Sequence, residues 1–377
     1  MTKPNTRLIF HIGDPKTGSS SIQRVLFSSG WTSPSRTLAY PDRISAVPMA
    51  KSLYPDARAK RRRNLFTASA EWLTMQSADV SVLSAEHFAF VAPAKLRSVT
   101  RRFMPDHADD MGIIAYARPH MGRLVSSFSQ AVKIRGFQGS FEDFCQGAVT
   151  SRRFHYAPRF AEWQATFDAR FTLRPLVGSR LHRQDVVADF LHTVLETDDF
   201  EITADTRQNE SPSVAQLACL RFVQSRLQGT ATPDPARKAI CASLSVRLQA
   251  AADTPGQRLK MPASVLAPMQ QAYGEDAAAL DKRFFDGTPF SDALQDAARN
   301  TTDAHQSLAM ADHFSPAQIT ELGRITDGII AELDADPIGW QRHHRDVKSG
   351  ISDSEDEDQA FVARVAGLLD GICTTLA

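Results

Sequence analysis

The first 200 residues of the chain alternate short apolar runs with stretches in which apolar residues recur every three or four positions. The apolar runs are five to seven residues long and lie at 8–12, 80–84, 112–117 and 170–176. After the first run, Ile22, Val25 and Leu26 follow the i, i+3, i+4 spacing of a helix. Short, nearly continuous apolar strands separated by helices are typical of a parallel sheet covered on both faces. The pattern therefore predicts an α/β fold in three layers, with helices on both faces of a parallel sheet.

Beyond about residue 200 the pattern becomes mostly helical. Helical periodicity is found at 214–227, 263–284, 316–333 and 361–376. The stretch 228–262 is rich in Ala, Arg, Pro and Thr, and predicts a helix with inserted loops. An acidic run at 353–358 is typical of a solvated linker or of a helix start. We therefore divide the chain into an α/β core over 1–215, a helical continuation with an insert over 216–345, and an acidic linker with a terminal helix over 346–377.

Composition narrows the class of protein. The chain has 377 residues with 43 Lys+Arg and 43 Asp+Glu, so its formal net charge is zero. This balance argues against a dedicated polyanion-binding protein, including a nucleic-acid-binding one, but not against one small anion pocket.

The four cysteines are widely spaced without a CxxC pair, and no metal-ligand spacing is found, so neither a metal nor a disulfide framework is expected. No apolar run approaches the ~18 residues of a membrane helix, and the apolar run at the N-terminus is too short for a signal-peptide core. We expect a cytoplasmic protein without membrane insertion.

A polar loop at 13–18 joins the first predicted strand to the first predicted helix, and three serines follow it. Unpaired backbone N–H groups and the helix dipole make the start of a helix a favourable place for an anion. Lys16 adds an ammonium group, and the serines add hydroxyl donors. Together these are the parts of a phosphate-binding loop.

The loop differs from the Walker A motif, G-x-x-x-x-G-K-[ST], at one decisive place. Gly13 and Gly18 have the required separation, but Ser19 stands where the motif has its lysine, and the only loop lysine is Lys16. A kinase or NTPase would lose its usual contact to the γ-phosphate. That class stays open as an alternative, as does a simple strand-to-helix turn without a ligand.

The run Lys16, Thr17, Gly18, Ser19, Ser20 resembles the nucleotide loop of sulfotransferases that use 3′-phosphoadenylyl sulfate (PAPS), in particular the bacterial carbohydrate-type members. In that family a K-[TS]-G-[ST]-[ST] loop wraps the 5′-phosphosulfate of the donor. The resemblance implies that all five residues contact PAPS. It also implies the P-loop-like sulfotransferase fold, in agreement with the predicted α/β pattern.

A second element of the resemblance begins at the end of the third predicted strand. Arg118 is followed eight positions later by Ser126, the spacing of the family's 3′-phosphate site. An arginine at the carboxyl end of a parallel strand can present its forked guanidinium to phosphate oxygens. Arg123, between them, could support the same phosphate or form a surface ion pair. The resemblance covers roughly residues 6 to 215 and includes 84–87, 185–191 and 209–211.

The resemblance implies in-line transfer of a sulfuryl group to a hydroxyl, or to an amine, of a small-molecule or carbohydrate acceptor. Lys16 would stabilise the leaving oxygen of adenosine 3′,5′-bisphosphate, without a metal. Glu86, after the second strand, is the candidate general base, and His87 is the alternative. Glu86 could instead cap a helix or pair with an arginine, while His11, inside the first strand, is expected in the core. The acceptor or lid region would lie within 216–345 and the acceptor specificity partly within 31–75. A non-catalytic nucleotide-binding protein on the same fold is a further alternative.

Overall fold

The computed structural model describes residues 6–55, 57–204, 212–251, 256–348 and 358–376. Within these ranges the strands are β1 (Arg7–His11), β2 (Trp31–Thr32), β3 (Leu38–Ala39), β4 (Val80–Ser84), β5 (Gly112–Ala117), β6 (Phe171–Pro175), β7 (Glu201–Ile202), β8 (Met261–Pro262) and β9 (Thr301–Thr302). The predicted acidic run, apart from its last residue, and the segment 209–211 lie outside the described residues.

Helices make up most of the rest of the described chain. The first eight are α1 (Ser19–Phe27), α2 (Val47–Lys51), α3 (Ala59–Thr74), α4 (Pro93–Phe103), α5 (Pro105–Ala108), α6 (His120–Gln130), α7 (Phe141–Thr150) and α8 (Ala157–Phe167). The others are α9 (Val186–Leu195), α10 (Val214–Gln228), α11 (Asp234–Ala250), α12 (Ala263–Phe284), α13 (Pro289–Gln295), α14 (Pro316–Ala335), α15 (Gly339–Lys348) and α16 (Gln359–Leu376). Among the described residues, no helix is both long enough and apolar enough to cross a membrane.

Five strands form a parallel sheet in the order β3-β4-β1-β5-β6. The four apolar runs of the sequence are β1, β4, β5 and β6. The central strand β1 pairs with β4, His11 opposite Ser84, and with β5, His11 opposite Ile114. The fold-class prediction is therefore confirmed: helices surround a central parallel sheet, and the C-terminal half is helical. The edge strand β3 was not predicted, because two residues are too few to show an apolar run.

Each face of the sheet is covered by different helices. On one face Ile9 belongs to a cluster with Ile22 and Val25 of α1 and Phe190 of α9. The strand register places Phe10, Ile113 and Phe171 side by side on the opposite face. There the ring of Phe10 meets Phe88 with 5.4 Å between centroids, and Phe171 stacks on Trp163 of α8. This double coverage explains why the strands are almost wholly apolar.

The chain divides into two compact units. The first comprises Met1–Arg123, Arg152–Gln208 and Gln270–Asp296, and contains the sheet. The second comprises Leu124–Ser151, Asn209–Met269 and Ala297–Ala377. Its core is formed by buried residues of α10, α11, α14 and α16, among them Leu220, Leu244, Ile329 and Leu369.

Candidate functional site

Three predicted site residues follow three neighbouring strands of the sheet. The loop that carries Lys16 follows the central strand β1. Glu86 comes two residues after the end of β4, and Arg118 comes directly after β5, on the other side of β1. Because the carboxyl ends of parallel strands share one sheet edge, the structure brings these three residues to the same edge.

The loop between β1 and α1 is held by its own contacts. The hydroxyl of Thr17 donates to the carbonyl of Asp14 at 2.6 Å and accepts from the amide of Asp14 at 3.3 Å. The backbone has positive φ at Gly13 (57°), Lys16 (70°) and Gly18 (85°). Left-handed conformations suit glycine and are uncommon for lysine. Since the Thr17 side chain is buried and engaged within the loop, only its backbone is available to a ligand.

The start of α1 has the features of an anion-binding site. Gly18 is the residue before the helix and, in the described structure, no side chain caps the first turn. The first turn also carries no acidic residue. The buried hydroxyl of Ser19 has no hydrogen-bond partner in the described part of the chain, whereas Ser20 is exposed. Free amide donors, a buried hydroxyl without an acceptor and the positive end of the helix dipole all favour a bound phosphate or sulfate group.

Arg118 reaches across to this loop from the neighbouring strand. Its Nη1 donates to the carbonyl oxygen of Lys16 at 3.4 Å. The side chain folds back over Gly122, where a Cβ would lie 3.1 Å from Nε of Arg118. No carboxylate among the described residues pairs with Arg118. Burial, together with the positive charge of Arg123, lowers the pKa of Arg118. A half-buried guanidinium that pairs with no described carboxylate adds positive charge at this edge of the sheet.

Asp14, Arg123 and Arg159 form a buried ion cluster that the sequence did not indicate. Oδ2 of Asp14 lies 3.3 Å from Nη2 of Arg123, and its Oδ1 lies 2.8 Å from Nη2 of Arg159. Arg123 also donates to the carbonyl of Pro15. The Arg123 side chain is only 7% exposed, so a surface ion pair is not its role. The cluster anchors the loop to α6 and α8, the helices that carry the two arginines. Arg159 follows the loop by more than 140 residues, and no local pattern links it to Asp14.

Glu86 lies against the first glycine of the loop. A Cβ on Gly13 would be 3.1 Å from Cα of Glu86, so this close approach requires glycine. Glu86 opens a short 3₁₀ helix, Glu86–Phe90, and its half-buried side chain makes neither a cap nor an ion pair with any described residue. Its charge, added to burial, raises the pKa of Tyr54. The hydroxyl of Tyr54 donates to the carbonyl of His87 at 3.3 Å, so Glu86 and His87 both lie beside this tyrosine.

Two further predictions from the sequence concern His11, expected in the core, and Ser126, expected at the 3′-phosphate. Burial lowers the pKa of His11 to about 3, and its Nδ1 lies 2.8 Å from the hydroxyl of Ser84. The expectation of a core histidine is confirmed. Ser126 lies on α6, half buried, and its partnership with Arg118 at a 3′-phosphate stays a prediction.

Comparison with known proteins gives one structural similarity. Neither a protein-family model nor a curated protein matches the chain. A solved structure, a sulfotransferase from Alicyclobacillus acidocaldarius, matches with a TM-score of 0.38 and 18% sequence identity. The match covers 63% of this chain and 95% of that one. The functional conclusion therefore rests on the geometry of the site.

Proposed function

We propose that the chain is a sulfotransferase that transfers the sulfuryl group of PAPS to a hydroxyl, or an amine, of a small-molecule or carbohydrate acceptor. The observation that carries the proposal is the pairing of two separate anion-binding features at one sheet edge. One is the uncapped start of α1 with the buried hydroxyl of Ser19. The other is the guanidinium of Arg118, which touches the same loop at Lys16 and has no carboxylate partner in the described ranges.

The residues at this edge fit a nucleotide with two anionic ends. Lys16, the amides of Thr17 and Gly18, and the hydroxyls of Ser19 and Ser20 would hold the 5′-phosphosulfate. Arg118 and Ser126 would hold the 3′-phosphate, which distinguishes this donor from ATP. The buried Asp14 does not repel the nucleotide, because Arg123 and Arg159 both compensate its charge.

The bound donor supplies an activated sulfuryl group, and the protein residues do the positioning. The loop amides and Lys16 would stabilise the negative charge that develops on the leaving oxygen as the S–O bond breaks. Glu86, close to the loop at Gly13, would accept the proton of the acceptor hydroxyl as its oxygen bonds to sulfur. His87 is the second candidate for this proton. In-line geometry supplies the rest of the rate enhancement.

The test begins with nucleotide binding. Calorimetry should show that adenosine 3′,5′-bisphosphate binds at least tenfold more tightly than 5′-AMP, without added metal. Arg118→Ala should remove most of this difference, because a charge-assisted contact contributes about 1.5–3 kcal/mol. Arg101→Ala is a matched control, since this exposed arginine pairs with Asp109 and not with the loop. Equal affinity for the two nucleotides, or tighter Mg-dependent binding of ATP, contradicts the proposal and favours the kinase-like alternative.

Transfer is then tested with labelled PAPS and a panel of sugars and other hydroxyl compounds. Formation of a sulfated product supports the proposed sulfotransferase activity. Tight bisphosphate binding together with no product from any acceptor supports instead a non-catalytic nucleotide-binding protein.

A further inference from the structure

Two histidines and an aspartate meet at the surface of the first unit, in a group that the proposed function does not use. His182 lies in a 3₁₀ turn, His192 in α9, and Asp198 in the segment before β7. Oδ1 of Asp198 lies 3.3 Å from Nε2 of His182 and 2.9 Å from Nδ1 of His192. One ligand atom from each residue lies within 4.8 Å of the others. We call these three residues the two-histidine cluster.

The backbone that carries the cluster is tied together by further contacts. The amide of His182 donates to the buried carboxylate of Asp189 at 2.9 Å. The guanidinium of Arg183 donates to the carbonyls of Asp198 at 2.9 Å and of Phe200 at 3.1 Å. This arginine therefore binds the backbone next to the cluster and leaves the Asp198 carboxylate to the histidines. The three side chains are held close before any ligand arrives.

The two ring nitrogens are close to the carboxylate but are not aligned with it. Nε2 of His182 and Nδ1 of His192 are both shielded from solvent, and neither has a hydrogen bond within the described structure. A hydrogen bond needs the donor N–H to point at its acceptor. A metal ion instead lies off the line that joins two of its ligands. For bonds of 2.0–2.2 Å in a tetrahedron, ligand atoms are about 3.3 Å apart. The separation at His182 has this value, and the 2.9 Å separation at His192 is shorter.

We propose that the two-histidine cluster binds one divalent transition-metal ion, Zn²⁺ by preference, through Nε2 of His182, Nδ1 of His192 and a carboxylate oxygen of Asp198. Two imidazoles and one carboxylate are a ligand set that suits zinc, and water would complete the tetrahedron. The set does not suit Mg²⁺ or Ca²⁺, which prefer oxygen ligands.

One ring has to move for both nitrogen lone pairs to meet a single ion. The rings are stacked, 4.3 Å apart and 7° from parallel, whereas a ligand lone pair lies in the plane of its own ring. His192 has the freedom to turn, because its side chain is 41% exposed against 23% for His182. The ion would then join the 3₁₀ turn, the last turns of α9 and the segment that leads to β7. It would act as a structural clamp, separate from sulfuryl transfer.

The test uses the full chain without a histidine tag, treated with a chelator and then titrated with Zn²⁺ alone. Calorimetry should show one ion bound per chain with micromolar or tighter affinity. His192→Ala should weaken binding about 100-fold, because it removes one of only three protein ligands. His305→Ala is the matched control, an exposed histidine outside the cluster, and should bind as the unchanged protein does. Asp198→Asn, at a side chain that is 71% exposed, gives a second variant if the first folds poorly.

Cobalt provides an independent readout of the ligands. Co²⁺ in the unchanged protein should give the visible bands of a tetrahedral nitrogen and oxygen site, and these bands should vanish in both cluster variants. Failure to bind either ion overturns the proposal. So does binding that both variants retain, or a thiolate-to-cobalt band, which would assign the ion to a cysteine such as the half-buried Cys373.

Discussion

Nη1 of Arg118 donates to the main-chain oxygen of Lys16 at 3.4 Å, although 102 residues separate the two along the chain. The contact joins the end of β5 to the loop after β1. The contact therefore places the Arg118 guanidinium beside the loop that precedes α1. Any anion that binds the start of α1 also lies within the field of Arg118.

Removal of the Lys16 ammonium should slow turnover more than it weakens nucleotide affinity. We expect Lys16→Ala to lower kcat about 100- to 1000-fold, the usual effect of one preorganised group that stabilises developing charge. Lys16→Gly is the matched control, because φ at Lys16 is 70° and glycine adopts this conformation without strain. Steady-state kinetics with labelled PAPS should give the same loss for both variants. Recovery of activity in the glycine variant would assign the loss to the backbone.

A methyl group at Gly122 should weaken binding of the 3′-phosphate through Arg118. The added Cβ would lie 3.1 Å from Nε of Arg118 and displace its side chain by a few tenths of an ångström. We expect Gly122→Ala to lower the affinity for adenosine 3′,5′-bisphosphate about three- to tenfold, since part of a charge-assisted contact is lost. Calorimetry checks this. Gly147→Ala, in α7 with no neighbouring atom within 4 Å, should leave the affinity unchanged. An equal effect on 5′-AMP would show that Gly122 acts on the loop rather than on the 3′-phosphate site.

Loss of the Asp14 charge should destabilise the fold. Asp14→Asn leaves Arg123 and Arg159 facing each other with little compensation, and breaking a buried ion pair in this way costs about 3 kcal/mol. Urea unfolding measures the change in the free energy of unfolding. Asp109→Asn breaks the exposed ion pair with Arg101 and should change stability by less than about 1 kcal/mol. Similar values for the two variants would mean that the Asp14 cluster is not the anchor of the loop.

Stability should depend on pH through His11. Its pKa in the folded state is about 3, below the ordinary 6.5 that it regains on unfolding. As pH falls below 6.5 the unfolded chain therefore takes up this proton first, and the folded state loses stability until about pH 3. The loss approaches ~1.4 kcal/mol per pH unit, and above pH 6.5 the histidine contributes no slope. Unfolding measured between pH 4 and 7 should show a shallower slope in His11→Gln than in the unchanged protein. Identical slopes would mean that His11 is accessible to protons in the folded state.

The secondary structure of this chain was largely predictable because its signals are local. The runs at 80–84 and 112–117 became β4 and β5 with the predicted bounds, and the helices predicted at 263–284 and 316–333 correspond to α12 and α14. A strand that is covered on both faces must be apolar along its length, and a helix must repeat its apolar positions every three to four residues. Both requirements can be read within a few neighbouring residues. The composition of the phosphate-binding loop could be read for the same reason, since it is contiguous.

Only the tertiary structure decided which distant residues surround that loop. The pairing of Asp14 with Arg159, the approach of Glu86 to Gly13 and the meeting of His182, His192 and Asp198 all join segments that no sequence period connects. The sequence shows where charges and ring nitrogens occur, and in this chain it showed no metal-ligand spacing at all. Whether the groups around the loop meet depends on the order of strands in the sheet and on the register of each strand. Whether the two histidines meet Asp198 depends on how the chain folds from the 3₁₀ turn through α9 towards β7. Strand order, register and the path of the chain are set by packing over the whole core. The sequence therefore determined the elements and the loop chemistry, while the tertiary structure decided which charged groups became neighbours.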